Sequence, residues 1–109
     1  MHPLHFLAWF VGGATLMNAV PHLVSGLMGR RFPSPFAKPP GKGLSSATVN
    51  MLWGFANLAA AYLLLCQVGR LDLRQMGDVA APAFGMVLLG LMLARHFGSQ
   101  NGGGGPDVA

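Results

Sequence analysis

The sequence predicts an all-α membrane protein, a three-helix transmembrane bundle with its N-terminus outside and its C-terminus in the cytoplasm. Three observations carry this. Residues 2–29, 43–69 and 79–94 contain no Lys, Arg, Asp or Glu and are rich in Leu, Val, Met, Ala, Phe and Gly. A helix crosses ~30 Å of hydrocarbon with roughly 20 mostly apolar residues. Only 9% of the 109 residues are charged and 52% are hydrophobic, whereas soluble domains carry about 25% charged residues. So short a chain has too little interior to hide that much apolar surface. Finally, four of the seven basic residues, Arg30, Arg31, Lys38 and Lys42, fall in one loop between the first two apolar runs, as expected of a cytoplasmic loop.

The first span is predicted over residues 4–29. No basic segment precedes it, and it exceeds the roughly 7–15 apolar residues of a secretory signal, so it reads as a retained helix. Trp9, near its start, is expected to anchor the chain at the membrane interface. Pro21 has no amide hydrogen to offer the Met17 carbonyl, which predicts a kink over residues 17–21. Residues 30–43 read RRFPSPFAKPPGKG. The prolines there exclude a regular helix and favour extended backbone. Phe32, Phe36 and the basic side chains suit a loop lying on the lipid headgroups.

The second span is predicted over 47–68, with Ser45 or Ser46 as N-cap. The third is predicted over 79–97, with Pro82 in its first turn and Arg95 snorkelling at its end. Residues 1–98 therefore form one domain, and 99–109 a flexible Gly-rich tail. The first loop and the C-terminal flank hold Arg30, Arg31, Lys38, Lys42 and Arg95, and the second loop holds Arg70 and Arg74. That bias sets the orientation and suggests the bacterial inner (cytoplasmic) membrane. Cys66 is the single cysteine, so no internal disulfide forms. The +4 net charge belongs to membrane topology, with no soluble basic module for nucleic acid.

Polar residues remain at membrane depth. Thr15, Asn18, His22 and Ser25 recur at helical spacing and share one face of the first span. Asn50 and Asn57, with Gly54 and Ala61, share a face of the second. The two spans run antiparallel across a short loop, so His22 matches Asn50 in depth and Thr15 matches Asn57. Two matched stripes predict direct helix packing, with interhelical hydrogen bonds of under ~1 kcal/mol each. On the third span, Ala83, Val87, Gly90 and Ala94 form a small-residue face that closes the bundle.

An ionisable group inside a membrane marks a functional site by default, which singles out His22. Imidazole relays protons, ligates iron or hydrogen-bonds a quinone. His22 and His96 are the candidate pair for a metal or haem, although the sequence requires no cofactor. No carboxylate lies within a span, and no CxxC, zinc-protease pair or nucleophile elbow occurs. No catalytic residue is assigned, and a non-enzymatic role is favoured. Arg30, Arg31, Lys38, Lys42, Ser45 and Ser46 gather where the second helix begins, a place suited to an anionic lipid headgroup.

The leading expectation is a small oligomerising or accessory subunit of a membrane complex. Its partners are lipids and either further copies of itself or a larger assembly. Gly12, Gly13, Gly54, Gly85, Gly90 and Asn57 supply the small and polar faces for that. The alternative is a ligand-binding or transport protein, with the Asn/His stripe lining a pocket for a quinone, a haem or a small polar solute. A cavity at His22 favours the second class, and a dry interdigitated contact favours the first.

Overall fold

A computed structural model describes residues 3–103. Three long helices dominate it. Helix α1 spans Pro3–Leu27 and continues through Pro21. A two-residue antiparallel pair follows, β1 (Phe32–Pro33) against β2 (Leu44–Ser45), with Phe32 opposite Ser45 and Pro33 opposite Leu44. Helix α2 spans Ala47–Tyr62 and runs on as a π-helical segment over Leu63–Val68. Helix α3 spans Met76–Asn101. By length and composition, Pro3–Leu27, Ala47–Val68 and Met76–Asn101 are each able to cross a membrane, with mean hydropathies of 1.3, 1.6 and 1.7.

The helix ends follow from local chemistry. The Ser46 hydroxyl accepts the Val49 amide at 3.1 Å and caps α2. Helix α3 starts three residues earlier than expected. Asp78 lies in its first turn and accepts the Asp72 amide at 3.2 Å, and its charge suits the positive end of the helix. Pro82 is therefore past the first turn, and its ring leaves the Asp78 carbonyl without an α-helical donor. At the other end α3 runs to Asn101 before Gly102 terminates it at φ +82°, the left-handed conformation glycine adopts freely. Part of the expected tail is thus helical, and residues 104–109 lie outside the described residues.

Helix α1 is the centre of the bundle. It packs along α2 on one side and α3 on the other, while α2 and α3 barely meet. The α1–α3 crossing is backbone on backbone. A Cβ at Gly13 would strike the Pro82 carbonyl, and one at Gly85 would strike the Phe10 carbonyl. This crossing sets the rotation of α3 and corrects the face expected for it. Pro82 and Gly85 are buried, whereas Ala83, Val87 and Ala94 are exposed.

Trp9 is also placed differently. It is 2% exposed, and its Nε1 donates to the Gly69 carbonyl at 2.8 Å. The indole is turned into the protein, where it clamps the far end of α2. The π-helical turn belongs to the same contact. The Gly69 amide reaches back to the Leu64 carbonyl at 3.0 Å, and a side chain at Gly69 would overlap the Trp9 ring.

The proline-rich loop folds back over one end of the bundle. Pro33, Ser34 and Ala37 are buried. The Ser34 and Ser45 hydroxyls bond at 2.6 Å, and the Gly41 amide donates to the Ser34 carbonyl at 2.9 Å. Gly41 adopts φ +74°, and the Lys38–Pro39 peptide is cis. The loop is extended where expected, at Phe32–Pro33, but it covers protein.

Candidate functional site

The site is built on α1 and α2 and roofed by the loop. Asn50 is its hub, with no exposed surface. Its Oδ1 lies 2.7 Å from His22 Nδ1. Its Nδ2 faces the carbonyls of Phe32, Ser46 and Ser45 at 2.9, 3.0 and 3.3 Å. Three acceptors around one nitrogen identify it as the amide donor, so Oδ1 is the atom presented to His22. His22 Nδ1 must then carry the proton, an assignment made from partners. In the neutral ring Nε2 is left as a lone pair.

That lone pair has no hydrogen-bond partner among the described residues. Nor is it sealed off like the indole Nε1 of Trp53, which is buried without an acceptor. His22 is 3% exposed overall, and it lines an open cavity of about 340 Å³ together with Asn18, Trp53, His96, Phe97 and the loop around Ser34 and Gly41.

One turn before His22, Asn18 donates through Nδ2 to Asn57 Oδ1 at 3.0 Å, while Asn57 Nδ2 donates to the Trp53 carbonyl of its own helix at 2.9 Å. Asn18 Oδ1 is thereby left as a second acceptor on the cavity wall. The walls are aromatic. Trp53 meets His22 at 6.5 Å and Phe36 at 5.2 Å, both edge to face. Phe97 meets Phe32 at 4.5 Å and His96 at 4.9 Å.

The expected stripes therefore meet at two points, Asn18 with Asn57 and His22 with Asn50. Thr15 does not cross, because its Oγ1 bonds the Val11 carbonyl of its own helix at 2.7 Å. Ser25 contributes its backbone carbonyl, which accepts the Arg30 amide at 2.8 Å. Trp53 was missed, although its position three residues after Asn50 and four before Asn57 places it on the same face. Phe97 and the loop residues carried no such signal, since only the fold brings them here.

His22 and His96 do share this cavity. His96 Nε2 lies 2.7 Å from the Gly41 carbonyl, so it donates, and Gln100 Nε2 donates to the same oxygen at 3.0 Å. A metal held by both Nε2 atoms would have to break that tether. No cluster of three or more His, Cys, Asp or Glu side chains occurs among the described residues. Of the basic set, Arg31 and Lys42 converge with Gln100 and Asn101 on a second cavity of about 490 Å³. Arg30 and Lys38 are exposed elsewhere. The Ser45 and Ser46 hydroxyls are engaged by Ser34 and Val49.

Compared with known protein families, characterised proteins and solved structures, the chain matches none. The site is therefore read from its own chemistry.

Proposed function

We propose that this chain is a small ligand-binding membrane protein. In this reading it crosses the bilayer three times, with the proline-rich loop and the end of α3 on the cytoplasmic side of a bacterial inner membrane. It holds a neutral amphipathic molecule in the cavity beneath that loop, without catalysing a reaction. Membrane embedding is supported by the outer faces of the helices, where Leu52, Phe55, Phe84, Val87, Leu91 and Met92 are all exposed. In water, a contiguous surface of that kind is an association hazard.

The observation that carries the binding reading is the unpaired Nε2 of His22. That atom is open to the cavity, and it is distinct from the buried unpaired atom among the described residues, which is the Trp53 indole Nε1. Stripes that served only to glue the helices would be paired throughout, as Asn50 and Asn57 are. An acceptor left open on the wall of a cavity suits a partner that arrives from outside.

The test is what the purified protein carries. Protein taken from membranes in mild detergent should release a small molecule on organic extraction, detected by mass spectrometry. The His22→Leu variant, matched for helicity by circular dichroism, should carry several-fold less. Equal recovery from both would remove His22 from the site, and nothing recovered from either would defeat the reading.

The accessory-subunit alternative drew on free small-residue faces. Gly12, Gly13, Gly54 and Gly85 instead abut Leu65, Pro82, Leu23 and Phe10 within the chain. That reading now needs a partner surface other than these four glycines.

A further inference from the structure

We infer that the ligand is a tailed hydroquinone or phenol, a flat ring that donates hydroxyl hydrogens and carries a hydrocarbon chain. This rests on the ligand-binding reading above and specifies its chemistry. The two open polar atoms that α1 gives to the cavity, His22 Nε2 and Asn18 Oδ1, are acceptors, because the other side of each group is committed to Asn50 or Asn57, while the Trp53 indole Nε1 on the α2 side is a donor, buried and without a partner. The two residues stand four apart on α1, which puts them on one helix face with Cβ atoms roughly 5–6 Å apart. A quinone would present carbonyl lone pairs to these lone pairs. A hydroquinone presents O–H donors instead.

No carboxylate lines the cavity, so a desolvated cation would lack a counter-charge. An anion would meet only acceptors on α1. The edge-to-face walls at Trp53 and Phe97 suit a flat ring.

The tail follows from a neighbouring feature. A separate groove of about 370 Å³ runs between α1 and α3, lined by Pro21, Val24, Gly90, Leu93 and Ala94, and almost wholly apolar. Phe97 lines both this groove and the His22 cavity. His22 and its neighbour Pro21 thus face the two compartments from adjacent positions on α1. A ring seated at His22 has its chain exit past Phe97 into the groove, and that continuity selects the ligand's own tail as the occupant.

Full-length protein in nanodiscs, kept anaerobic and reduced, would be tested by equilibrium dialysis against four probes. These are decylhydroquinone, its di-O-methyl ether, decylbenzoquinone (assayed without reductant) and untailed hydroquinone. Decylhydroquinone should bind at least about tenfold more tightly than its ether or the quinone, the effect of losing one to two net hydrogen bonds. His22→Leu should cut that preference several-fold by weakening decylhydroquinone, with the remainder carried by Asn18 Oδ1. Ala94→Phe, at an exposed groove position, should weaken the decyl probe and spare the untailed one.

Equal binding of hydroquinone and quinone would overturn the donor assignment, as would nitrogen NMR placing the His22 proton on Nε2. Equal binding of tailed and untailed rings would overturn the tail and leave the groove to a phospholipid chain. Failure of every ring to bind would overturn the inference. The ligand-binding reading falls with it only if extraction of the native protein also returns nothing.

Discussion

Asn50→Leu is the most informative single change, because it separates a helix-to-helix bond from a staple that holds the loop. The native side chain serves His22, Phe32, Ser45 and Ser46 at once. Leu keeps comparable bulk and removes every polar atom. The Ser46 carbonyl still accepts the Asn50 amide at 3.1 Å. The His22 Nδ1 hydrogen and the Phe32 carbonyl lose the partner shown for them. Two groups stranded at about 1–3 kcal/mol each, one buried and one part-buried, predict a loss of about 2–6 kcal/mol. The ~0.6 kcal/mol average for single interhelical bonds in membranes pulls the expected value toward the lower half.

Asn50→Asp sharpens the test. It retains an acceptor for His22 but sets oxygen against three carbonyls, so it should destabilise at least as much as Leu. Reversible unfolding in mixed micelles, followed by far-UV circular dichroism, measures both. A change below about 0.5 kcal/mol for Asn50→Leu would show that the polar hub is dispensable. A clearly milder Asn50→Asp would show that the His22 contact, not the loop staple, carries the stability.

Three further outcomes follow from the packing. Gly13→Ala and Gly85→Ala should each destabilise by about 1–3 kcal/mol in the same assay, since each new methyl meets backbone that cannot turn aside. Gly90→Ala meets Met17 side-chain atoms at an ordinary 3.8 Å, so it should be neutral or stabilise by up to about 1 kcal/mol through helix propensity. Trp9→Phe strands the Gly69 carbonyl and should lose about 1–3 kcal/mol, with faster amide hydrogen exchange confined to the Gly69–Leu71 turn. For the orientation, Lys38→Cys in a Cys66→Ala background should resist a membrane-impermeant thiol reagent in intact cells and react after permeabilisation. Rapid labelling of intact cells would invert the topology. Ser34 is a poor reporter, because it is 1% exposed and silent in either orientation.

What was legible in the sequence was whatever depends on periodicity along one helix. Missing charge and apolar length located the three long helices, and the +3/+4 spacing set His22 opposite Asn50 but matched Asn57 with Thr15 where the structure pairs it with Asn18. The same reasoning missed features set by contacts between distant segments. Trp9 looks like an interface anchor until the Gly69 carbonyl, sixty residues away, is known to meet it. The α3 face was misjudged because periodicity marks small side chains, whereas the crossing is decided by backbone approach at Gly85 and Pro82. Thr15 had a competing acceptor four residues back on its own helix, a local bond that membrane threonines readily form.

The location of the cavity follows from the helix arrangement. A bundle in which every helix touched every other would close over its polar residues and pair them. Here α1 lies between α2 and α3, and the two flanking helices barely meet. They leave a wedge on one side of α1 that only the loop fills. A four-proline loop fills it incompletely, since proline supplies no amide hydrogen for a neighbour's acceptor. Pro33, Pro35 and Pro40 line the cavity on the loop side, and the Gly41 amide there is already spent on the Ser34 carbonyl, so the loop backbone offers Asn18 and His22 few donors. The open acceptors on α1 and the donor-poor roof above them are thus consequences of one choice of loop sequence. Replacing Pro40 or Pro35 with a residue that restores an amide would supply the missing donor from within, and would compete with any hydroxyl that enters.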